Sequence, residues 1–287
     1  MEQPQKIKLF ASRDFGGNFD TSFAFIKQNY GAIIKPLLIL IPIMLISAFF
    51  TPNTMDMSDI ESYANPFDIY RDMLTPGFFI AYFFLAVVML LMSTYIISYL
   101  GAYVKSPNGI VDSKEVWPKA IRAILPVFLA SIIYGVIVGI GTVLCIIPGI
   151  IAYVYLGFYA YVYIIEERSI IDSFQRSYEL VKNNWWTTFG FGIVITLIIS
   201  IVSAIFAIPT YMVMLGHALD IDFFTSDLFF YIASFIANMG SLLLYPILYV
   251  AMGVMYFSHR NKLEGVDMET EIDNIGNNEP KNTPNGW

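Results

Sequence analysis

Residues 123–165 read AILPVFLASIIYGVIVGIGTVLCIIPGIIAYVYLGFYAYVYII, and this stretch contains no charged side chain. As a helix it would be about 64 Å long at 1.5 Å per residue, whereas the hydrocarbon core of a bilayer is about 30 Å thick. It is therefore long enough to cross a membrane twice. Proline ends a helix and glycine permits a turn, so Ile147-Pro148-Gly149 predicts the point of reversal. A re-entrant hairpin over the same residues is the alternative.

The rest of the chain repeats this pattern of long apolar runs. The sequence is 57% hydrophobic and only 14% charged, whereas soluble domains carry about 25% charged residues. We therefore predict an all-α polytopic membrane protein, a single domain over residues 1–261 with about six transmembrane helices. The predicted spans are 31–50, 76–104, 123–147, 149–165, 186–208 (stopped by Pro209) and 228–257. Residues 262–287 are rich in Asn, Glu, Asp and Pro, which predicts a disordered cytoplasmic tail.

The positive charges lie in alternate gaps between the apolar runs. All of the sixteen Lys and Arg residues except Arg71 fall in residues 1–30, 105–122, 166–185 and 258–287 or at the adjoining helix ends. Loops rich in Lys and Arg stay on the cytoplasmic side of a membrane. This distribution predicts that both termini are cytoplasmic.

The segments before the first, third and fifth spans resemble one another. Each begins with residues that cap helices, and residues 23–30 (FAFIKQNY) align without gaps to residues 178–185 (YELVKNNW). Aromatic residues and bases on short amphipathic helices suit the surface of a membrane with anionic headgroups. We therefore predict three interfacial helices in a threefold internal repeat. The candidate headgroup contacts on them are Lys27, Lys119, Arg122, Arg176 and Lys182.

The end of the fourth span carries adjacent acids and bases. Glu166, Glu167 and Arg168 follow the apolar run directly, and Arg176 and Lys182 lie on the next predicted helix. A carboxylate pair beside bases at a membrane surface is one way to bind an ion or a headgroup. A solvated helix cap is the alternative interpretation of the same residues.

Two motifs in this part of the chain resemble a known family. They are Ile146-Ile147-Pro148-Gly149-Ile150 and residues 173–186, SFQRSYELVKNNWW. They resemble the integral membrane domain that is joined to some glycerophosphoryl diester phosphodiesterases, and related membrane families of unknown function. The resemblance covers residues 120–200 and implies a six-helix module without an assigned activity, in a bacterial inner membrane. The phosphodiesterase chemistry belongs to a separate soluble barrel, so it is not carried over.

The catalytic and metal-binding motifs that we searched for do not occur in the sequence. His217 and His259 are the only histidines, and they fall on opposite predicted sides of the bilayer. There is no H-x-x-x-H, C-x-x-C, G-x-S-x-G or P-loop spacing. We therefore predict a protein that is not an enzyme, with no cofactor, no metal and no nucleic acid partner. The expected partners are membrane lipids and other membrane or envelope proteins, for which it would serve as a scaffold or lipid-interacting module.

Polar side chains form a stripe on each of the last two spans. Stripes of small and hydroxyl residues usually mean close helix packing, but a polar cavity would need the same residues. The second interpretation predicts a permease or lipid transporter, which is our alternative function. The stripe residues are Ser234, Asn238, Ser241 and Tyr245 on the sixth span and Thr196, Ser200 and Ser203 on the fifth.

Overall fold

The computed structural model describes residues 5–51 and 74–265, and every regular element in these ranges is a helix. Predictions for most of the acidic loop after the first span, and for the tail beyond residue 265, lie outside the described residues. The helices are α1 (Phe15–Leu37), α2 (Ile41–Phe50), α3 (Pro76–Lys105), α4 (Ser113–Leu144), α5 (Ile146–Leu156), α6 (Ile170–Val181), α7 (Trp185–Leu219) and α8 (Asp227–Glu264).

Six of the helical stretches are long and apolar enough to cross a bilayer. One of them joins α1 to α2 through a 3₁₀ turn at Leu38–Leu40, and another continues α5 as far as Glu166. The prediction of an all-α polytopic protein with six spans in this order is therefore confirmed. Several helices are longer than the membrane requires, since α7 has 35 residues and α8 has 38. At 1.5 Å per residue these exceed the hydrocarbon core, so the bundle extends beyond it.

Helix α8 lies at the centre of the bundle. It packs against α1, α2, α3, α6 and α7, while α4 packs on α3 and pairs with α5. Near its C-terminal end α8 is buried on all sides, since the consecutive residues Val254, Met255, Tyr256 and Phe257 are each at most 1% exposed. We call this end of the bundle, where α1 and α4 begin and α3 and α8 end, the basic end.

The reversal between the third and fourth spans occurs slightly earlier than we predicted. Helix α4 ends at Leu144, and the extended residue Cys145 (φ −168°, ψ 140°) joins it directly to α5. Pro148 therefore lies in the first turn of α5, where the missing backbone N–H has no partner to lose. Gly149 packs against Thr142 of α4, and a Cβ added at Gly149 would lie 2.9 Å from the Thr142 Cα.

The fifth span does not stop at Pro209 as we predicted. Helix α7 continues through Pro209 to Leu219. A proline inside a helix costs about 3 kcal/mol through a lost hydrogen bond and a steric clash. Tertiary packing offsets this cost, because Val213, beyond the proline, is fully buried in a small cluster with Phe230 and Ala233 of α8.

The structure separates only one of the three predicted surface helices from its span. Residues 15–30 and 113–122 form the first turns of the long helices α1 and α4, because no break follows them. Helix α6 is separate, ending at a turn over residues 182–184. Phe174, Leu180 and Val181 of this helix are buried against the bundle, whereas Ile171 and Tyr178 are exposed.

Candidate functional site

The chain leaves the fourth span through an unusual backbone conformation. Val162–Glu166 form a π-helical turn, and Glu167 follows in the left-handed region (φ 57°, ψ 36°). Left-handed backbone is uncommon for residues other than glycine, and π-turns occur frequently at functional sites. This geometry separates two neighbouring carboxylates, because the Glu166 side chain is 5% exposed and that of Glu167 is 66% exposed.

The Glu166 carboxylate lies in a buried cluster of charges at the basic end. The Arg176 Nε donates to it at 3.2 Å, and the Arg168 Nε donates at 3.0 Å. The Tyr256 hydroxyl donates a third hydrogen bond at 2.9 Å. A buried carboxylate is costly unless it is paired and hydrogen-bonded, and these three donors meet that requirement.

The same cluster extends to the end of α8. Arg176 also donates to the Glu264 carboxylate and lies 3.7 Å from that of Glu179, while the Arg260 Nε donates to Glu264 at 2.9 Å. We call Glu166, Arg176, Tyr256, Arg260 and Glu264 the buried charge cluster. It ties the end of the fourth span, α6 and α8 together.

A second site, which we call the basic cleft, lies on the exposed side of the same turn. It has a volume of about 190 Å³. Its charged lining consists of Lys119 and Arg122 from α4 with Glu167 and Arg168, and the apolar residues Ala123, Tyr163 and Ile164 complete it. The Lys119 Nζ donates to the Glu167 carboxylate at 3.0 Å, and the Lys105 Nζ at the end of α3 lies 3.9 Å away.

The charges of the basic cleft act on Glu167. The hydrogen bond from Lys119, with the positive charges of Lys119 and Lys105, lowers the pKa of the Glu167 carboxyl below its usual value. Glu167 therefore remains ionised at neutral pH and below. The cleft thus holds one carboxylate among three bases, with Lys105 as a fourth base beside it.

The five residues predicted to contact lipid headgroups lie in different surroundings. Lys119 and Arg122 lie together in the basic cleft. Lys27 is exposed on α1, and Lys182 is exposed at a separate cleft of about 500 Å³ beside Trp186. Arg176 differs from our expectation, since its guanidinium is buried against carboxylates and has its donors directed at protein groups. Its burial argues against a direct contact with lipid.

The two polar stripes are not brought into one enclosed space. Ser234, Asn238, Ser241 and Tyr245 are half-buried on α8, and Ser203 is half-buried on α7. Thr196 and Ser200 are exposed on α7, which places them on the outside of the bundle. This exposure counts against a polar path through the stripe on the fifth span.

Sequence reasoning missed several residues of these two sites. Tyr256, Arg260 and Glu264 follow one another at intervals of four, so they share one face of α8. That spacing is visible in the sequence and indicates a polar face at the end of the last helix. The contribution of Lys105 from the end of α3 had no local signal, since it depends on how α3 and α4 pack.

His259 precedes Arg260 of the buried charge cluster on α8 but forms a hydrogen bond elsewhere, to α7. It is 1% exposed, and its Nε2 lies 2.8 Å from the Thr188 hydroxyl. Because that hydroxyl already donates to the Asn184 carbonyl, His259 donates from Nε2.

Within residues 5–51 and 74–265, no three His, Cys, Asp or Glu side chains are grouped closely enough to hold a metal ion.

These features define a class: a six-span helical membrane protein with a buried charge cluster and a basic cleft at one end. Residues 70–259 match the family described as a domain of unknown function, DUF7847. The match covers more than half of the chain, so the protein belongs to this family. Neither curated proteins nor solved structures gave a significant match.

Proposed function

We propose that this protein is a non-enzymatic membrane module that binds anionic lipid headgroups in the basic cleft. Through this contact it serves as a lipid-interacting scaffold for other envelope proteins. The observation that carries the proposal is a cleft lined by three bases, with Lys105 beside it, around the exposed carboxylate of Glu167.

The position of the cleft along α4 supports a lipid ligand. Arg122 is the last charged residue before the apolar stretch that begins at Ala123, and both line the cleft. The cleft therefore lies where charged surface meets hydrocarbon, the level at which headgroups are found. Bases at this level attract anionic lipids with about 1 kcal/mol each.

The distribution of charge supports an orientation with both termini in the cytoplasm. Among the described residues, Lys and Arg are absent from 36–51, 74–104, 123–167 and 183–259. A cluster of bases at one end of the bundle follows the rule that cytoplasmic loops are positive. The resemblance to the membrane domain of some phosphodiesterases supports a bacterial inner membrane.

The test is a lipid titration of the purified protein in detergent, monitored by native mass spectrometry. Phosphatidic acid and phosphatidylcholine with identical acyl chains are compared. We expect preferential binding of phosphatidic acid, which Arg122→Met weakens about fivefold, the value of one base near the surface. Lys114→Met is the matched control, because Lys114 lies on the same helix but does not line the cleft. Equal binding of the two lipids by the wild-type protein would refute the proposal.

A permease or lipid transporter remains the alternative, supported by the half-buried amide of Asn238 within α8. Reconstituted in liposomes, a transporter would move a solute or lipid at a saturable rate. Asn238→Leu should abolish this rate without unfolding the protein. Saturable transport that Asn238→Leu abolishes would favour this function over the scaffold.

A further inference from the structure

We propose that Glu167 is a tethered competitor for the basic cleft. Its carboxylate occupies the position that the phosphate of a small anionic headgroup takes, and the ligand binds when this side chain swings out. The inference rests on the proposed function and adds the class of ligand and the regulation of the site.

The contacts of Glu167 are those that a phosphate would make. Its carboxylate is 3.0 Å from the Lys119 Nζ and 3.9 Å from the Lys105 Nζ, so it lies between the ends of two helices. Phosphate and carboxylate oxygens compete for the same ammonium donors. A ligand between Lys105 and Lys119 must therefore displace Glu167.

The backbone on each side of Glu167 is held in place. Glu166 is fixed by three hydrogen bonds in the buried charge cluster. Ser169 caps α6 by accepting a hydrogen bond from the Asp172 backbone N–H at 3.2 Å. The Glu167 side chain, in contrast, is 66% exposed. Exposed ion pairs are weak, so rotation of this side chain can open the site while the main chain stays fixed.

The charge of the cleft selects the ligand. Three bases line it and Lys105 lies beside it, and their ammonium and guanidinium groups suit phosphate oxygens. A phosphate monoester carries about −1.5 to −2 charges at neutral pH, more than a phosphodiester. Lys105, Lys119 and Arg122 leave an excess of positive charge when Glu167 swings out, while Arg168 stays paired with Glu166. We therefore assign the ligand as a phospholipid with a phosphate monoester headgroup.

The experiment compares Glu167→Gln with the wild-type protein in the titration with phosphatidic acid. Glu167→Gln should bind this lipid about fivefold more tightly, the effect of removing one charge at about 4 Å in a high dielectric. Glu167→Gly is the second variant, because glycine adopts the left-handed conformation without strain and lacks the carboxylate. Both variants should show the gain.

Asp20→Asn is the matched control, since Asp20 is an exposed carboxylate on α1 at the basic end and does not line the cleft. An equal gain in affinity from Asp20→Asn would show a general effect of net charge and would overturn the proposal that Glu167 competes with the ligand. Inorganic phosphate is added as a competitor to distinguish free phosphate from a lipid headgroup. If inorganic phosphate displaced phosphatidic acid at a concentration equal to that of the lipid, the assignment of a lipid headgroup would be overturned.

The outcomes separate this inference from the proposed function. If the wild-type protein prefers phosphatidic acid and Glu167→Gln binds it no more tightly, only the competitor is refuted. If neither protein distinguishes phosphatidic acid from phosphatidylcholine, the proposed function and the inference are both refuted.

Discussion

The buried charge cluster gives the sharpest prediction, the effect of Arg176→Met on stability. The Arg176 side chain is 10% exposed and contacts Glu166, Glu264 and Glu179. Methionine fills a similar volume but leaves Glu166, whose side chain is only 5% exposed, without the more deeply buried of its two arginine donors. The substitution therefore leaves the Glu166 carboxylate buried with one hydrogen-bonded arginine fewer.

The magnitude follows from the contacts that survive. Removing one partner of a buried ion pair costs about 3–5 kcal/mol. Glu166 keeps its hydrogen bonds from Arg168 and Tyr256, and Glu264 keeps the one from Arg260. We therefore expect the lower end of that range, a loss of about 3 kcal/mol in the free energy of unfolding.

The assay is equilibrium unfolding in mixed micelles, monitored by circular dichroism. Arg122→Met is the matched control, because Arg122 is exposed in the basic cleft, and it should change stability by less than about 0.5 kcal/mol. In lipid binding the order is reversed: Arg122→Met should weaken binding, whereas Arg176→Met has no direct lipid contact to lose. A double-mutant cycle with Glu166→Gln should give a coupling energy above about 1 kcal/mol.

A free energy of unfolding for Arg176→Met equal to that of the wild-type protein would contradict this prediction. That result would mean that the desolvation of the charges equals their attraction, as occurs for some buried ion pairs. A coupling energy near zero in the double-mutant cycle would lead to the same conclusion.

Three further predictions concern packing and topology. Thr188→Val removes the hydroxyl beside the His259 ring and should lower the free energy of unfolding by about 1–3 kcal/mol, measured in the same micelles. A loss below about 0.5 kcal/mol, the scatter of neutral surface changes, would contradict this expectation. Gly240→Ala places a Cβ 2.6 Å from a phenylalanine side chain of α7 and should lower the thermal midpoint, whereas Gly139→Ala, with no such neighbour, should leave it unchanged or raise it. Cys145, exposed at the turn between α4 and α5, should react with an impermeant maleimide on the side of a sealed vesicle opposite to a C-terminal tag; labelling on the same side would refute the proposed topology.

Part of the candidate site could be predicted from the sequence. The run Glu166-Glu167-Arg168 after an apolar span already indicated a charged site at the end of the fourth helix. The sequence left open whether these residues formed a solvated cap or a binding site. In the structure both occur, because the left-handed backbone at Glu167 separates the two carboxylates: that of Glu166 is buried and that of Glu167 is exposed.

Other sequence predictions failed where packing overrides a local signal. Proline usually ends a helix, yet α7 passes through Pro209 because Val213 is buried against α8. On α6, Arg176 is predicted to contact a lipid headgroup, but it is held by carboxylates from two other segments, Glu166 and Glu264.

The number and order of the membrane-spanning helices followed from the sequence by itself. Hydrocarbon accepts a backbone only as a long apolar helix or a closed barrel, and helix length and lack of charge are local properties of a chain. Only the tertiary structure decided that α8 is central, that Arg176 is buried and that Lys105 joins Lys119 at Glu167. Burial and pairing depend on neighbours brought from distant segments, and no single stretch of sequence contains that information.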